Sequence, residues 1–387
     1  MESLRMNAHM AKKCGTWALA LAITAVTAET TSFLGLRLLD LPTAIVNPPK
    51  SEKLPWGAWG VPNTVSRKTA GCFDVAYHYN SVGARDKERS LQGTDRWIFV
   101  GDSFVEGYGI AEQERVSDLL EGFTDREMLN FSSSGNFGPL QYKILYEQLA
   151  AKHEHKGIVV GLLPDNDFVD NDPDWWSENK SQKHLLRHRP YYELAPDAAS
   201  FGVRYGVHGK SVPRDDFDVA PALPAKGVLG RIMQVSERNM RSILKSLAQR
   251  SSSFALVHLL SARIGANKRE LSAPETGTGY FTTDVSALRA AELILDELAQ
   301  NAAGKSRIML VFPRDSDFSQ QKTQGQQGSM EFIAFLKNVA STGWKVIDLC
   351  QVPALQAMPD TTLGCNSHWN AAANRAAAEY LRTEIAW

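Results

Sequence analysis

The alternation of short apolar runs with helical periodicity constrains the fold of this 387-residue chain more than any other feature. The run around Ile158-Val159-Val160 is almost wholly apolar, which is typical of a strand covered on both faces. Strands of this kind are predicted at residues 96–100, 127–131, 157–163, 307–312 and 345–349. Because helical segments separate them, the sequence predicts an α/β fold with five parallel strands between helices.

The predicted helices place several polar segments at one edge of this sheet. We predict helices at residues 112–123, 139–153, 284–302, 330–339 and from about 370 onward. Right-handed crossovers leave few topologies, and active sites in such sheets lie at the carboxyl ends of the strands. The segments expected to meet there are 101–103, 132–138, 164–171 and 366–368.

The chain divides into four predicted parts. Residues 1–40 form a membrane anchor or signal segment, and residues 41–95 form an arm that packs on the core. The α/β core comprises residues 96–171 and 281–387. Residues 172–280 break the alternation and are predicted to be an insertion or cap, with two helices near 228–248 and 253–266.

The N-terminal segment indicates export. Lys12 and Lys13 precede an apolar run of 15 residues, 14–28, which is short for the roughly 20 residues that span a bilayer. It suits a signal peptide cleaved after Val26-Thr27-Ala28, but apolar residues resume at 33–39, as in an uncleaved anchor. The remaining alternative is an amphipathic helix packed on the domain. We favour export, to the periplasm or cell envelope.

Composition excludes some partners. Hydrophobic residues make up 43% of the chain and charged residues 22%, as in a globular protein. The formal net charge of −1 gives no excess of cations to attract a polyanion, so no nucleic-acid partner is expected. The acidic residues within 165–174 lack the glycine and distal Glu of an EF-hand loop, so we expect no metal and no cofactor. Cys350 and Cys365 either pair or are both buried thiols.

A serine lies where the first apolar strand stops. The run Trp97-Ile98-Phe99-Val100 ends at Gly101-Asp102-Ser103, which predicts a serine on a tight turn at the sheet edge. Such a serine caps a helix or, given a histidine, acts as a nucleophile. His368, far downstream in Asn366-Ser367-His368-Trp369-Asn370, is the candidate base.

Two further positions are suited to bind an oxyanion. Gly135 follows the second predicted strand, where its backbone N–H can approach a ligand closely. Asn166 follows the third strand and carries an amide donor. An ordinary turn explains each residue equally well on its own.

Together these blocks resemble the SGNH/GDSL hydrolase family, whose name lists Ser, Gly, Asn and His. The blocks are Gly101-Asp102-Ser103-Phe104, Ser134-Gly135, Asn166-Asp167 and His368-Trp369-Asn370, and residues 80–86 look like a motif of exported bacterial members. The resemblance implies Ser103 as nucleophile and His368 as general base. It implies an oxyanion hole made by the Ser103 amide, Gly135 and Asn166. It also implies a flavodoxin-like, three-layer α/β/α domain.

One departure from the family concerns the residue behind the histidine. Family members usually carry Asp two or three residues before it, where this chain has Asn366 and Cys365. Asn366 can orient the imidazole but cannot supply the negative charge that stabilises imidazolium. Asp102 and Asp360 are candidate supporting carboxylates.

The function predicted is an extracytoplasmic serine esterase acting on O-acyl, in particular O-acetyl, esters of carbohydrate or of another small molecule. Acyl transfer to a sugar hydroxyl uses the same residues. The alternative from another class is an inactive binding or scaffold protein of the envelope on the same fold. The aromatic pairs 175–176 and 191–192 either stack on sugar rings or pack in the core, and the basic run 183–189 is a wet surface or a binding patch.

Overall fold

A computed structural model describes residues 2–39, 41, 47–48, 50–178, 188–207, 210–211, 250–269, 279–281 and 284–387. These residues form twelve strands: β1 (Lys50–Leu54), β2 (Gly57–Gly60), β3 (Thr64–Ala70), β4 (Phe73–Tyr79), β5 (Arg96–Gly101), β6 (Glu127–Ser132), β7 (Gly157–Leu162), β8 (Arg189–Leu194), β9 (Phe201–Val207), β10 (Lys210–Ser211), β11 (Ser306–Val311) and β12 (Lys345–Asp348).

The described residues also form twelve α-helices. They are α1 (Glu2–Leu38), α2 (Ser103–Glu106), α3 (Val116–Thr124), α4 (Pro139–Gln148), α5 (Pro164–Asp170), α6 (Pro173–Glu178), α7 (Ser252–Arg269), α8 (Val285–Asn301), α9 (Asp315–Gln324), α10 (Met330–Ser341), α11 (Pro353–Gln356) and α12 (Ala371–Glu384).

The central sheet has five parallel strands in the order β12-β11-β7-β5-β6. Counted along the chain this is the order 2-1-3-4-5 of flavodoxin-like folds, so the predicted fold class is confirmed. In such sheets the direction in which successive strands are added reverses between the first and third strands, which here are β5 and β7. The carboxyl ends of those two strands flank the crevice in which ligands of this fold class bind.

Both faces of the sheet are covered, as the apolar strands predict. Alternate residues of β5, Ile98 and Val100, pack with α4, α8 and α10, and their neighbours Trp97 and Phe99 pack with α3 and α12. This two-sided burial explains why the strands carry so few polar residues.

Some predicted elements differ in extent. The helix predicted at 112–123 begins only at Val116, after a 3₁₀ turn over Glu112–Glu114. The helix predicted at 139–153 ends at Gln148, because Leu149 leaves helical geometry before a second 3₁₀ turn, Ala150–Lys152.

Two antiparallel pairs, β1-β2 and β3-β4, lie within residues 50–79, and β8-β9-β10 form a third small sheet. The helix predicted near 228–248 lies outside the described residues, and α7 matches the one near 253–266.

The aromatic pairs are mostly core residues. Trp176, Tyr191 and Tyr192 are exposed by 2%, 1% and 8%, so the interpretation that they stack on sugars is wrong. Trp176 lies under the guanidinium of Arg189 and donates from its indole to the carbonyl of Asp170 at 3.2 Å. Arg189, predicted as part of a wet basic run, is therefore buried; residues 183–187 of that run lie outside the described part of the chain.

The cysteine pairing differs from the predicted alternatives. Cys365 forms a disulfide with Cys72, across 293 residues of sequence, and Cys350 is a buried free thiol. Cys72 sits in the turn between β3 and β4, so the disulfide joins the N-terminal hairpin to the segment before His368. Sequence spacing could not reveal this, because only the fold sets the distance between two cysteines.

Helix α1 contains a stretch, Thr16–Leu38, that is long and apolar enough to cross a membrane. Only 11% of its apolar window is buried, unlike a core helix of a soluble protein. Length and composition of this kind are compatible with a membrane anchor and with a signal sequence alike.

Candidate active site

Ser103 is the first residue of α2, directly beyond the end of β5. Asp102 caps the helix by accepting a hydrogen bond from the amide of Phe104 at 2.9 Å. Gly101 lets α2 approach the sheet closely, since a Cβ there would lie 2.4 Å from Val105. The local sequence therefore turns the chain sharply and leaves Ser103 partly exposed.

Arg85 holds the segment that follows Ser103. Its guanidinium is buried and donates to the carbonyls of Glu106, Gly107 and Ile110 at 2.7–2.9 Å. Its other face stacks on the Tyr77 ring, with 3.5 Å between the guanidinium carbon and the ring centroid. Charge-assisted bonds to three carbonyls fix the end of α2 and so the turn that carries the serine.

His368 lies against Ser103. Its Nε2 is 2.8 Å from Ser103 Oγ, and its Nδ1 is 3.1 Å from Asn366 Oδ1. The backbone amide of His368 donates to the same Asn366 oxygen at 3.0 Å, so that atom is an acceptor and Nδ1 must be the donor. Nε2 is then the unprotonated nitrogen and can accept the proton of the Ser103 hydroxyl.

Aromatic and cationic groups surround the imidazole. The Tyr108 ring stacks on it at 4.1 Å between centroids, and Phe104 lies at 5.3 Å. Lys68 Nζ lies 4.3 Å from the centroid of the Tyr108 ring. Burial lowers the pKa of His368 to about 3, and the positive charges of Arg314 and Lys68 add to this effect. The imidazole is thus neutral near pH 7.

The loop that carries His368 is fixed at both ends. The Cys72–Cys365 disulfide precedes it, and Trp369 donates from its indole to the carbonyl of Pro313 at 3.0 Å. Asn370 then caps α12 by accepting from the amide of Ala373. These contacts hold the imidazole in place without any carboxylate behind it.

The three residues predicted to form the oxyanion hole lie on three different segments, and the structure shows the contacts of each. Ser103 N–H is in the first turn of α2, where no intrahelical acceptor exists. Gly135 has φ of 126°, which favours glycine, and its carbonyl accepts from Arg189 at 3.1 Å. The amide nitrogen of Asn166 donates to Asp170 at 2.5 Å, which occupies one of its two hydrogens. The roles assigned to these three residues stay predictions.

Neither of the two candidate supporting carboxylates, Asp102 and Asp360, lies behind the imidazole of His368. Asp102 Oδ2 is 3.3 Å from Ser103 Oγ, on the serine side. Asp360 accepts hydrogen bonds from the amide and hydroxyl of Thr362, at 2.8 and 2.7 Å. The Nδ1 hydrogen of His368 goes to Asn366, so neither carboxylate takes the place of the family Asp.

Several carboxyl groups near the site are shielded from water. Burial raises the pKa of Asp102 to about 7 and that of Asp170 to about 6. Burial and the neighbouring Asp102 charge raise the pKa of Asp167 well above its usual value. Asp167 accepts hydrogen bonds from the hydroxyl of Tyr142 at 2.9 Å and from the backbone amide of Leu163. No group of three or more His, Cys, Asp or Glu in the described chain is arranged to hold a metal ion.

Sequence reasoning missed four residues that shape the site. Lys50 donates to Ser133 at 2.8 Å and pairs with the buried Glu106 at 3.7 Å. Lys50 and Lys68 lie far from any motif, so sequence gave no signal for them. Tyr108, flanked by two glycines just after Ser103, and Arg85, inside the motif at 80–86, could have been suspected from their positions.

The comparisons with known proteins are sparse. No family model matches the chain, and no curated protein matches it. Among solved structures, one match is a carbohydrate esterase, described as having an active site with divergent catalytic and non-catalytic binding functions. The two share 14% identity with a TM-score of 0.33, over 77% of this chain and 67% of the other. A similarity this remote says nothing of the substrate of this chain.

Proposed function

We propose that this chain is an ester hydrolase of the SGNH/GDSL type, with Ser103 as nucleophile and His368 as general base. The observation that carries the proposal is the 2.8 Å contact between His368 Nε2 and Ser103 Oγ, with Asn366 fixing the tautomer. A partly exposed serine bonded to the unprotonated nitrogen of an oriented imidazole is the arrangement that activates a hydroxyl.

The reaction proceeds in two halves. Ser103 Oγ attacks the ester carbonyl carbon and its proton passes to His368 Nε2, while the amides of Ser103, Gly135 and Asn166 stabilise the oxyanion. Collapse breaks the bond to the alcohol, which takes the proton from His368 and leaves an acyl-serine. Water, deprotonated by the same nitrogen, then releases the acid and restores the hydroxyl. A sugar hydroxyl in place of water gives acyl transfer.

A polar substrate fits this site better than a lipid. The positive charges of Lys68 and Arg314 act on His368, Asn366 places an amide beside the imidazole, and Arg314 forms an ion pair with Asp165 at 2.7 Å. Charged and amide groups suit the hydroxyls of a carbohydrate carrying O-acyl, in particular O-acetyl, groups. Trp176, Tyr191 and Tyr192 are buried and give this choice no support, so it rests on polarity alone.

We also propose that α1 stays attached as an anchor and that the domain is extracytoplasmic. The helix runs unbroken through Val26-Thr27-Ala28, the candidate cleavage site. Beyond it, Leu36 is buried against the hairpin and α7, so cleavage would separate this packed end of α1 from the rest of its helix. The positive charges of Lys12 and Lys13 before the apolar run favour a cytoplasmic N-terminus.

A second function, an inactive binding protein on this fold, is favoured by one observation. Asn366 supplies no negative charge, and the pKa of His368 is lowered to about 3, so imidazolium is poorly stabilised. Proton transfer from the serine needs that imidazolium, at least transiently.

A fluorophosphonate probe separates the two functions. We expect it to label the wild-type protein and not Ser103→Ala, with labelling of His368→Ala reduced at least tenfold. Ser367→Ala, in the same turn as the histidine, is the matched control and should label normally. Absence of labelling in wild-type protein that gives a cooperative thermal transition would reject the hydrolase and favour the binding protein.

A further inference from the structure

Helix α7 lies beside the C-terminal half of α1 and is joined to it by a partly buried polar contact. The carboxylate of Glu29 accepts hydrogen bonds from Ser251 Oγ at 2.7 Å and from the backbone amides of Ser252 and Ser253. Glu29 thus caps the N-terminus of α7 from another helix. The amides of Ser252 and Ser253, in the first turn of α7, and the charge of Glu29 satisfy each other, and the helix dipole favours the anion there.

Glu29 lies within the candidate span Thr16–Leu38, so a bilayer crossed by α1 contains this contact. Residues 14–28 of α1 cover only about 22 Å at about 1.5 Å per residue, less than the roughly 30 Å of a hydrocarbon core. A bilayer spanned by α1 therefore extends past Glu29 towards Phe33 and Leu34. A carboxylate and the open end of a helix are tolerated at that depth only when they are bonded to each other or to other protein groups.

The outer face of α7 is apolar and exposed. Phe254, Val257 and Leu260 are exposed by 42%, 60% and 50%. Three-residue spacing puts them on one side of the helix, opposite Ala255 and Leu259, which are buried. Helix α7 packs on Leu36, which lies within the candidate span Thr16–Leu38 of α1, and that part of α1 has exposed apolar side chains of its own at Phe33 and Leu34.

We propose that α7 is a second membrane-embedded helix, which enters the bilayer beside α1 without crossing it, and that lipid acyl chains cover Phe254, Val257 and Leu260. The occupant is the same bilayer that α1 spans, because α7 packs on a part of α1 that lies within its candidate span. This inference rests on the proposed role of α1 as an anchor.

A consequence concerns the substrate. Ala255 and Leu259 of α7 share a small core with Phe73, Leu36 and Cys365. Cys365 is three residues from His368 and is joined by disulfide to the β3-β4 turn. The candidate active site is therefore held at the membrane surface, where it meets acylated carbohydrate close to the bilayer rather than free in solution.

The test uses the full chain in phosphatidylcholine vesicles with lipids that carry a nitroxide on the acyl chain. A fluorophore is attached through Val257→Cys, with Ile23→Cys as the anchor position and the exposed Val65→Cys of β3 as the aqueous control. Cys14 and Cys350 are replaced by Ala, and the disulfide is left oxidised. We expect nitroxide quenching at 257 and 23 to be at least threefold stronger than at 65, and quenching by aqueous cobalt to show the reverse.

Each other outcome rejects the proposal in its own way. Position 257 behaving like 65 while 23 is quenched by lipid shows that α7 is in water and leaves the anchor intact. Position 257 shielded from both quenchers shows that a second copy or another segment covers it. Position 23 accessible to cobalt rejects the anchor and this inference together, whereas loss of the hydrolase proposal would leave all three results unchanged.

Discussion

The side-chain oxygen of Asn366 accepts a hydrogen bond from Nδ1 of His368 at 3.1 Å, in the place where a serine triad carries a carboxylate. The geometry orients the imidazole, but the charge that would stabilise its protonated form is missing. In serine triads the loss of that charge costs about four decades in turnover. The site is therefore arranged for serine chemistry with one of its electrostatic contributions absent.

Replacing Asn366 by Asp should restore that contribution. We expect Asn366→Asp to raise the turnover of p-nitrophenyl acetate by roughly tenfold to a thousandfold, because a carboxylate behind Nδ1 stabilises imidazolium. Ser367→Asp adds the same charge to the same turn without the hydrogen bond and should change turnover less than threefold. Steady-state kinetics with p-nitrophenyl acetate measure the turnover of both variants. An unchanged or lower turnover for folded Asn366→Asp would show that the missing charge does not limit the reaction rate.

The pH dependence of the reaction should reflect the lowered pKa of His368. Its pKa of about 3, against 6.5 for a free histidine, keeps the base form present in acid, so we expect kcat/KM to hold constant down to about pH 5. In Asn366→Asp the negative charge raises the pKa of His368 and the acidic limb should move upward. A wild-type limb centred near 6.5 would contradict the burial argument.

The lowered pKa of His368 also makes the stability of the folded chain depend on pH. Between pH 3 and 6.5 the unfolded chain binds a proton that folded His368 excludes, so its contribution to stability decreases as the pH falls through that range.

The disulfide should control activity more than folding. Cys72–Cys365 ties the loop of His368 to the β3-β4 turn, so Cys72→Ser should lower turnover at least tenfold by loosening the imidazole, while the α/β core keeps its far-UV circular dichroism. A loss of about 2–4 kcal/mol in stability is typical for removal of a native disulfide. Cys350→Ala, which removes the buried free thiol, should leave turnover within twofold. Equal turnover of Cys72→Ser and wild type would show that the loop needs no such tie.

Asp102 should make the folded chain less stable as the pH rises towards neutrality. Burial raises its pKa from 3.8 to about 7, so the folded state holds a proton that the unfolded state releases, and stability is lost as the pH rises towards 7. Asp102→Asn keeps the helix cap but not the charge. As the pH is raised from 5.5 to 8.5, the free energy of unfolding of Asp102→Asn should increase by roughly 2 kcal/mol relative to that of wild type. Thermal unfolding at each pH measures this difference. Asp284→Asn, at the exposed cap of α8, controls for loss of a capping carboxylate, and a gain of the same size there would contradict the assignment to Asp102.

The fold could be predicted because its signals are local. The nearly continuous apolar runs of β5 and β7 indicate strands that are buried on both faces, and their alternation with helical segments implies the parallel sheet. The edge at which Ser103 and His368 meet follows from strand direction alone. Their 2.8 Å contact is a matter of distance, which only the structure supplies.

What sequence reasoning missed depends on contacts between distant segments. Cys365 pairs with Cys72 because the β3-β4 turn is folded against the loop of His368, and no spacing encodes that. The residue types of Trp176 and Tyr192 do not show whether these side chains stack on a ligand or, as the structure shows, lie in the core. Lys50 and Lys68 reach the site from the N-terminal strands, which have no periodicity that points to it.

The central claim is that Ser103 forms a covalent acyl intermediate with the help of His368. The most direct measurement is peptide mass spectrometry after p-nitrophenyl acetate is mixed with the full chain and quenched in acid. The account predicts one acetyl group on the peptide that contains Ser103, none there in Ser103→Ala, and slower formation in His368→Ala. Release of p-nitrophenol at an unchanged rate by Ser103→Ala, or acetylation at other residues alone, would contradict it.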